Sequence, residues 1–312
     1  MEIRKRMIPD DKRVQEVEEM KEREYIFFNV EFNNFRDVSG SHENRVLDRE
    51  EMEECECVLC LPESYRETGP KTPLVIFAHG SGGRVSAELN KVGGVAVVSE
   101  CLDAGYAALD VNGSATDGRT LGCPEHIFAL YRAYRYAVTH YNLCDRVLVA
   151  GSSMGGTVAL NFANTFPSIT LALGLFYPRL NIDGVEVDGH YCIGTWDKTE
   201  AKQDGFTARE RITKYFRFPT EEWCDENTLG FNAYRTRSFL NDKGERVVIP
   251  PCPIKIWQGT ADKTVDPVMT EEFVRSVRRS NSYIELHMLE GVGHRVNKVM
   301  KEELYRWFSR FA

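Results

Sequence analysis

The sequence has no apolar run near the roughly 18 consecutive residues that a membrane-spanning helix needs, so we expect no membrane partner. Its first residues, MEIRKRMIPDDKRVQE, contain no apolar core of a secretory signal, although a removed signal would leave the same sequence. The 9 cysteines are odd in number and follow no regular framework, which favours reduced thiols. These absences together predict a cytoplasmic protein.

Positive charge is in deficit, with 39 Lys and Arg against 47 Asp and Glu and a net charge of -8. A surface of this sign repels phosphate backbones, so nucleic acid is not an expected partner. Internal repeats and low-complexity tracts are also absent, and 312 residues with 42% hydrophobic content suffice for one large domain. The oligomeric state is left open, a homo-oligomer included.

The motifs of the common nucleotide sites are missing or incomplete. No G-x-x-x-x-G-K-[ST] segment occurs, which excludes a P-loop. His79–Gly83 follows an apolar strand, and Asp110 ends the next strand, as the ribose-binding acid of a dinucleotide fold does. Val85 stands where that fingerprint needs its third glycine. We therefore expect no organic cofactor.

A zinc site is a further alternative, raised by Cys55, Cys57 and Cys60 in the segment CECVLC. The segment has no second cysteine pair at a matching separation, which a structural zinc site of this kind would need. Alternation along a strand, with the cysteines as small buried hydrophobes, is the simpler interpretation. We expect no metal.

Apolar runs alternate with amphipathic segments over most of the chain. Continuous apolar strands of this kind are typical of a largely parallel sheet with helices on both faces, which is an α/β fold. Strands are predicted at 73–80, 105–113, 146–151, 169–178, 254–262 and 283–291, helices at 123–142, 155–166, 266–280 and 296–311, and two antiparallel strands at 25–32 and 55–62.

Two segments depart from this alternation. Residues 1–24 are charged throughout, which predicts a solvent-facing helix or a loose arm ahead of a domain at 25–312. Residues 179–250 are polar and aromatic and form an insertion, or lid, before the strand at 254–262; long insertions in compact domains are often functional. Most of its aromatic residues are expected to form their own small core, with Tyr191 and Trp196 as candidates for a substrate pocket.

The segment Gly151–Gly155 matches the pattern G-x-S-x-G, with Ser153 at its centre. An apolar strand precedes it and a helix follows, which is the context of a nucleophile elbow, where a tight turn exposes a serine oxygen above the sheet. A flexible bend without chemistry is the alternative. Ser152 does not fit the same pattern, because the glycine it would need at position 150 is Ala150.

A serine hydroxyl needs a base, and the base needs an acid partner. His294 follows the last predicted strand and Asp262 follows the preceding one, so the order is nucleophile, acid, base, as in α/β-hydrolases. Asp266 is the competing acid, but it precedes a proline and is explained as a helix cap. His287 is the competing base, but it falls inside an alternating strand.

A developing oxyanion also needs donors. Glycines follow the strand at 73–80, in HGSGG, where backbone N–H groups can face a ligand. We assign one donor to the N–H of Ser81 and the other to the N–H of Met154, the residue after the nucleophile. His79 is expected to brace this loop and to transfer no proton.

Four segments, HGSGG, GSSMGG, GTADKTV and GVGH, resemble the α/β-hydrolase superfamily, near the dienelactone hydrolases and the prolyl-oligopeptidase-like esterases. The resemblance covers roughly residues 55–312. It implies hydrolysis of an ester-like bond through an acyl-serine intermediate, without metal or cofactor.

By analogy with such esterases, a short acyl ester is the expected substrate, for example an acetyl or feruloyl ester of a carbohydrate. Two alternatives stay open. The first is a small peptidase or amidase, although the sequence has no β-propeller of the kind that restricts access in the prolyl-oligopeptidase peptidases. The second is a binding or structural protein with this fold and no activity, whose charged N-terminal arm would be its docking element.

Overall fold

The computed structural model describes residues 4–9, 22–33, 52–113, 122, 124–181, 184–194, 249–279 and 281–312. Its strands are β1 (Arg4–Pro9), β2 (Glu22–Asn33), β3 (Met52–Cys60), β4 (Leu74–Ala78), β5 (Val85–Ser86), β6 (Lys91–Val92), β7 (Ala107–Val111), β8 (Val147–Ser152), β9 (Thr170–Phe176), β10 (Val185–Val187), β11 (His190–Cys192), β12 (Ile254–Gly259) and β13 (Ile284–Leu289). Its helices are α1 (Ser99–Asp103), α2 (Pro124–His140), α3 (Met154–Thr165), α4 (Pro267–Val277) and α5 (Lys298–Phe308), and a 3₁₀ turn (Val95–Val98) precedes α1.

The central sheet of the described residues has nine strands in the order β1-β2-β3-β7-β4-β8-β9-β12-β13. The pairs β1–β2, β2–β3 and β3–β7 are antiparallel, and the strands from β7 to β13 are parallel to one another. The predicted α/β fold, with a mostly parallel central sheet, is therefore confirmed. The chain runs from β4 to β7 on one side and then to β8 on the other, so the strand order reverses around β4. Open α/β sheets place their sites at the carboxyl ends of strands beside such a reversal.

Both faces of the sheet are buried under helices. One apolar cluster joins the sheet to α2, α3 and α4, and a second joins its other face to α1 and α5. The strands β4, β7 and β8 are buried along their whole lengths, which explains their continuous apolar sequences. None of the helices that the structure describes is both long and apolar enough to cross a bilayer.

The N-terminal segment differs from its prediction. Residues 4–9 form β1 at one edge of the sheet and pair antiparallel with β2, which itself begins at Glu22. The predicted helix or loose arm at 1–24 is therefore wrong for these residues. An edge strand has only one neighbour, and charged side chains on such a strand discourage pairing with other chains. A charged segment can thus be a strand even though its composition suggests a solvated arm.

The insertion at 179–250 is described only at its two ends. Residues 184–194 contain the antiparallel hairpin of β10 and β11, with Val185 opposite Cys192. Val185, Val187 and Cys192 are buried, so the hairpin packs into the core through one face. Trp196 and the residues up to 248 lie outside the described residues.

The turn from β8 into α3 depends on two glycines. A Cβ on Gly155 would lie 1.9 Å from the carbonyl oxygen of Ala78 in β4, and one on Gly151 would lie 2.1 Å from the carbonyl oxygen of Gly155. Because these neighbours are backbone atoms, one in the buried strand β4 and the other in the first turn of α3, they cannot turn aside as a side chain would. Glycine is therefore required at both positions for α3 to pack this closely on the sheet.

We expect Gly155→Ala to lower the free energy of unfolding by roughly 1–3 kcal/mol or more, because the added methyl group overpacks a buried backbone contact. Gly293→Ala is the matched control, since its Cβ would meet only the Ala261 carbonyl oxygen at 3.8 Å. Urea unfolding of both variants measures the effect. Equal stability of the two would contradict the close approach of α3 to β4.

Candidate active site

Ser153 occupies the turn between β8 and α3 in a strained conformation, with φ 54° and ψ -119°. A residue with a Cβ rarely adopts positive φ, so the surrounding structure has to hold it there. Its N–H donates to the Phe176 carbonyl at 2.9 Å, and its carbonyl accepts from the N–H of Gly156 at 3.0 Å and of Arg179 at 2.8 Å. The Ser153 backbone is thus fixed by β9, by α3 and by the chain after β9.

The imidazole of His294 lies between Ser153 and Asp262. Its Nε2 is 3.0 Å from the Ser153 Oγ, and its Nδ1 is 2.8 Å from the Asp262 Oδ2. A carboxylate can only accept, so Nδ1 carries the hydrogen in that contact and Nε2 is left to accept from the serine hydroxyl. The structure therefore brings together the three side chains that the sequence analysis selected, and their catalytic roles stay a prediction.

The carboxylate of Asp262 is fully buried and accepts several hydrogen bonds besides that of His294. Its Oδ1 accepts from the N–H groups of Thr264 at 2.8 Å and Val265 at 2.9 Å, and its Oδ2 accepts from the Gln258 side chain at 3.3 Å. Burial raises the pKa of Asp262, but the hydrogen bonds from His294, Val265 and Thr264 outweigh it, and the pKa lies below its ordinary value. The site thus keeps this carboxylate ionised.

The competing residues have other partners in the structure. Asp266 caps α4, with its Oδ1 accepting from the Val268 N–H at 3.0 Å. The Nδ1 of His287 is 2.8 Å from the Glu303 Oε2, close to α5. Each therefore has a structural partner, and the imidazole that contacts Ser153 is that of His294.

The glycine-rich loop after β4 lies against Ser153. A Cβ on Gly80 would be 3.4 Å from the Cβ of Ser153. A turn follows, in which the Gly83 N–H donates to the Gly80 carbonyl at 2.9 Å and Gly82 has φ +87°. The turn's hydrogen bond does not use the Ser81 N–H. Met154 begins α3, where the first N–H groups have no partner within the helix. The assignment of these two N–H groups to an oxyanion hole stays a prediction.

A buried pair of His79 and Asp110 holds this loop. The His79 Nδ1 is 2.8 Å from the Asp110 Oδ2, and that oxygen also accepts from the Gly94 N–H at 2.6 Å. The Asp110 Oδ1 accepts from the Val111 N–H at 2.8 Å. Asp110 is fully buried, and both of its carboxylate oxygens accept these hydrogen bonds within the fold. His79 lies next to Gly80 in the sequence, and its contact with the buried Asp110 is in keeping with a bracing role.

Tyr177 is a residue of this site that the sequence analysis missed. It directly follows β9, and its ring lies 4.3 Å from the His294 ring, centre to centre. Burial and the charge of Asp262 raise the pKa of its hydroxyl, against the lowering effect of hydrogen bonds with the Val296 backbone and the Ser152 side chain. Tyr177 also has positive φ, at 37°, and its N–H donates to the Trp257 carbonyl at 2.7 Å. The Tyr177 ring thus packs against the His294 imidazole on one side.

Arg179 is a second residue that the sequence did not indicate. Its buried guanidinium donates to the Thr264 carbonyl at 2.7 Å and to the Ile193 carbonyl at 3.2 Å. Burial lowers the pKa of Arg179 to about 10, although the charge of Asp262 acts in the opposite direction. Arg179 therefore ties the loop of Asp262 to the chain after β11. A lone arginine after a strand carries no sequence signal for such a role.

The structure describes only one of the two residues that were predicted to line a substrate pocket. Tyr191 lies in β11 opposite Glu186 and is 56% exposed. Trp196 falls outside the described residues. A role for either in binding substrate stays a prediction.

The chain resembles known proteins in its three-dimensional structure and not in its overall sequence. No model of a protein family matches the chain, and no curated protein matches it. Solved structures do match. An S-formylglutathione hydrolase from Agrobacterium tumefaciens has a TM-score of 0.58 at 15% identity, covering 93% of this chain and 96% of that one. Est1E from Butyrivibrio proteoclasticus has a TM-score of 0.51 at 16% identity, covering 82% and 94%.

A puromycin hydrolase has a TM-score of 0.54 at 20% identity and covers 81% of this chain. This chain spans only 35% of that protein's length. At such low identities the likeness concerns the fold, and the common feature of these structures is the α/β-hydrolase fold. The chain therefore has the α/β-hydrolase fold, as the resemblance of its motifs implied.

Acid is expected to remove the stabilisation that Asp262 provides. Its pKa in the folded chain lies below the ordinary value. The contribution is therefore fully present above the unfolded pKa, about 4, and is lost as the pH falls through the folded pKa. We expect Asp262→Asn to lower the free energy of unfolding by roughly 1–3 kcal/mol near pH 7. This deficit should shrink below about pH 4.

Urea unfolding at a series of pH values measures both chains. Glu67→Gln, at an exposed position, serves as the control for loss of one carboxylate. A deficit for Asp262→Asn that does not change with pH would show that the lost charge is not its cause.

Proposed function

We propose that this chain is a serine hydrolase that cleaves carboxylic esters through an acyl-serine intermediate. The observation that carries the proposal is the imidazole of His294, which contacts the Ser153 Oγ at 3.0 Å and the Asp262 Oδ2 at 2.8 Å. The positive φ of Ser153 supports it as well, since a backbone strained at one serine beside a histidine and a buried carboxylate is typical of a nucleophile elbow.

In the proposed reaction, the Ser153 Oγ attacks the acyl carbon while the His294 Nε2 takes the hydroxyl proton. The oxyanion that forms would be held by the N–H groups of Ser81 and Met154. Collapse of the tetrahedral intermediate breaks the bond to the alkoxy oxygen, which leaves with the proton from Nε2. Water then attacks the acyl-serine by the same route. Asp262 keeps the imidazole oriented and stabilises its cation throughout.

An ester of a short acyl group, such as an acetyl or feruloyl ester of a carbohydrate, is the proposed substrate. The Est1E structure has also been determined with ferulic acid bound, at a TM-score of 0.52 and 16% identity to this chain. An amide or peptide substrate is the second candidate, and the likeness to the puromycin hydrolase favours it. Since both substrates use the same three side chains, the choice lies with the residues around the pocket and not with the triad.

We expect the purified chain to react covalently with a fluorophosphonate probe at Ser153 and to hydrolyse p-nitrophenyl acetate. Ser153→Ala should lose labelling and at least about 1000-fold of the turnover, because no other group replaces the nucleophile. Ser152→Ala is the matched control and should retain both. Comparison of p-nitrophenyl acetate with acetyl p-nitroanilide separates esterase from amidase.

Absence of labelling in the folded wild-type chain would favour a binding protein with this fold and no activity. Labelling that survives Ser153→Ala would refute the assignment of the nucleophile.

Tyr177 is expected to act by positioning the imidazole. Tyr177→Leu removes the ring that lies 4.3 Å from the His294 ring, whereas Tyr177→Phe keeps the ring and removes only the hydroxyl. Both variants retain a Cβ, so the strain of the positive φ is the same in each. We expect Tyr177→Leu to lower kcat by roughly 10-fold to 100-fold with little change in KM, because a displaced base loses alignment with the serine.

Tyr177→Phe should stay within about threefold of the wild type, since it keeps the contact with the imidazole. Steady-state kinetics and the rate of fluorophosphonate labelling check this. Equal losses in the two variants would indicate that the hydroxyl, and not the ring, is what matters.

A further inference from the structure

Three potential metal ligands that are not among Ser153, Asp262 and His294 meet beside the β10–β11 hairpin. The His190 imidazole, the Cys192 thiol and the Asp266 carboxylate place their ligand atoms within 4.8 Å of one another, and we call them the hairpin cluster. The His190 Nε2 is 2.6 Å from the Asp266 Oδ2. His190 and Asp266 are 76 residues apart in the sequence, so only the fold brings the three side chains together.

The local structure explains how each ligand points to the same place. His190 and Cys192 are two residues apart on β11, and side chains at that spacing lie on the same side of a strand. Asp266 immediately precedes α4, and its Oδ1 is occupied by the Val268 N–H at 3.0 Å. Its other oxygen, Oδ2, faces the His190 imidazole of the hairpin. The carboxylate orientation is set by the helix cap, not by the hairpin.

The donor set is one that suits zinc. Imidazole nitrogen, thiolate sulfur and carboxylate oxygen are its usual ligands, with bonds of about 2.0 Å to nitrogen and oxygen and about 2.3 Å to sulfur. A tetrahedral ion with these bonds needs ligand atoms roughly 3–4 Å apart, so the His190 Nε2 and the Asp266 Oδ2, now 2.6 Å apart, would have to separate to admit it. A thiolate and a carboxylate together offset both charges of the ion.

The three side chains of the hairpin cluster differ in how far they are exposed to solvent. Cys192 is fully buried, and the Asp266 side chain is 30% exposed. The His190 side chain is 53% exposed, which leaves one side of the cluster open to solvent. An ion could enter from that side and keep a water molecule as its fourth ligand.

We propose that His190, Cys192 and Asp266 bind a zinc ion. The ion would fasten the β10–β11 hairpin, where the insertion begins, to the segment between Asp262 and α4. This proposal replaces the expectation of no metal that the sequence suggested. The ion would join these two segments, and the proposal does not depend on the proposed hydrolase activity.

Two other contacts join the same segments. The Arg179 guanidinium donates to both the Ile193 and the Thr264 carbonyls, and Arg275 in α4 pairs with Asp188 in the hairpin at 3.0 Å. The hairpin is thus already held beside the loop of Asp262, so the ligands need no large rearrangement to meet. A preformed site of this kind loses little conformational entropy when it takes up an ion.

The experiment uses the full chain, stripped of metal with a chelator and titrated with Co²⁺ as a spectroscopic probe, followed by displacement with Zn²⁺. We expect one equivalent of Co²⁺ to bind with an intense thiolate-to-cobalt charge-transfer band, and Zn²⁺ to abolish the band. Zn²⁺ should also raise the Tm of the stripped chain, because a ligand that binds only the folded state stabilises it.

Cys192→Ser should lose the band, and His190→Ala and Asp266→Asn should weaken Zn²⁺ binding by at least about 100-fold, as direct ligands lose more than their supporting residues do. Asp266→Asn retains an oxygen that can cap α4, which keeps the variant folded. Cys144→Ser is the matched control for thiol chemistry, since Cys144 is a partly exposed thiol outside the cluster.

The band persisting in Cys192→Ser, or disappearing equally in Cys144→Ser, would overturn the proposal. So would an absence of Co²⁺ binding, or a Tm that Zn²⁺ leaves unchanged; the His190–Asp266 pair would then be one more direct contact of the hairpin, beside those of Arg179 and Arg275. Ser153→Ala should bind Zn²⁺ like the wild type. Metal binding without fluorophosphonate labelling would reject only the hydrolase proposal, and labelling without metal binding would reject only the zinc site.

Discussion

The close approach of α3 to the sheet is the constraint on which the rest of the site depends. The carbonyl oxygen of Ala78 occupies the place where a Cβ on Gly155 would lie, so the first turn of α3 packs on β4 backbone to backbone. That contact leaves no room for a relaxed turn after β8, and Ser153 takes up the strain with φ 54°. Hydrogen bonds to its own N–H and carbonyl hold it there. The position of Ser153 at the carboxyl end of β8 is thus tied to how a helix and a sheet fit together.

The two side chains that meet at Ser153, those of His294 and Asp262, are held by separate means. Asp262 is fixed by the N–H groups of its own loop, and Arg179 anchors that loop through the Thr264 carbonyl. His294 follows β13, and the ring of Tyr177 supports it from β9. A buried carboxylate and a buried guanidinium are costly unless hydrogen bonds compensate them, and here both are compensated by backbone groups. The position of the His294 imidazole therefore depends on three contacts outside its own loop, with Asp262, with Ser153 and with the ring of Tyr177.

The sequence predicts those parts of the molecule that depend on local pattern. Continuous apolar strands and the glycines around Ser153 indicate the sheet and the elbow, and the chain order of Ser153, Asp262 and His294 indicates the triad. Tyr177 and Arg179 could not be found in this way, because their roles arise from contacts between distant segments. The strand at Arg4–Pro9 was not predicted for a different reason. Its charged composition is compatible both with an edge strand and with a solvated arm.

The position of the insertion between β9 and β12 has a consequence for evolution and for engineering. These two strands are hydrogen-bonded neighbours, with Phe176 opposite Trp257, so whatever lies between them leaves the sheet and rejoins it at the next strand. Doubling the length of a flexible connection costs only about 0.6 kcal/mol in closure entropy. The connection between β9 and β12 can therefore change in length without altering how these two strands pair, but an exchange that removed Arg179 or the β10–β11 hairpin would also remove contacts that hold the loop of Asp262.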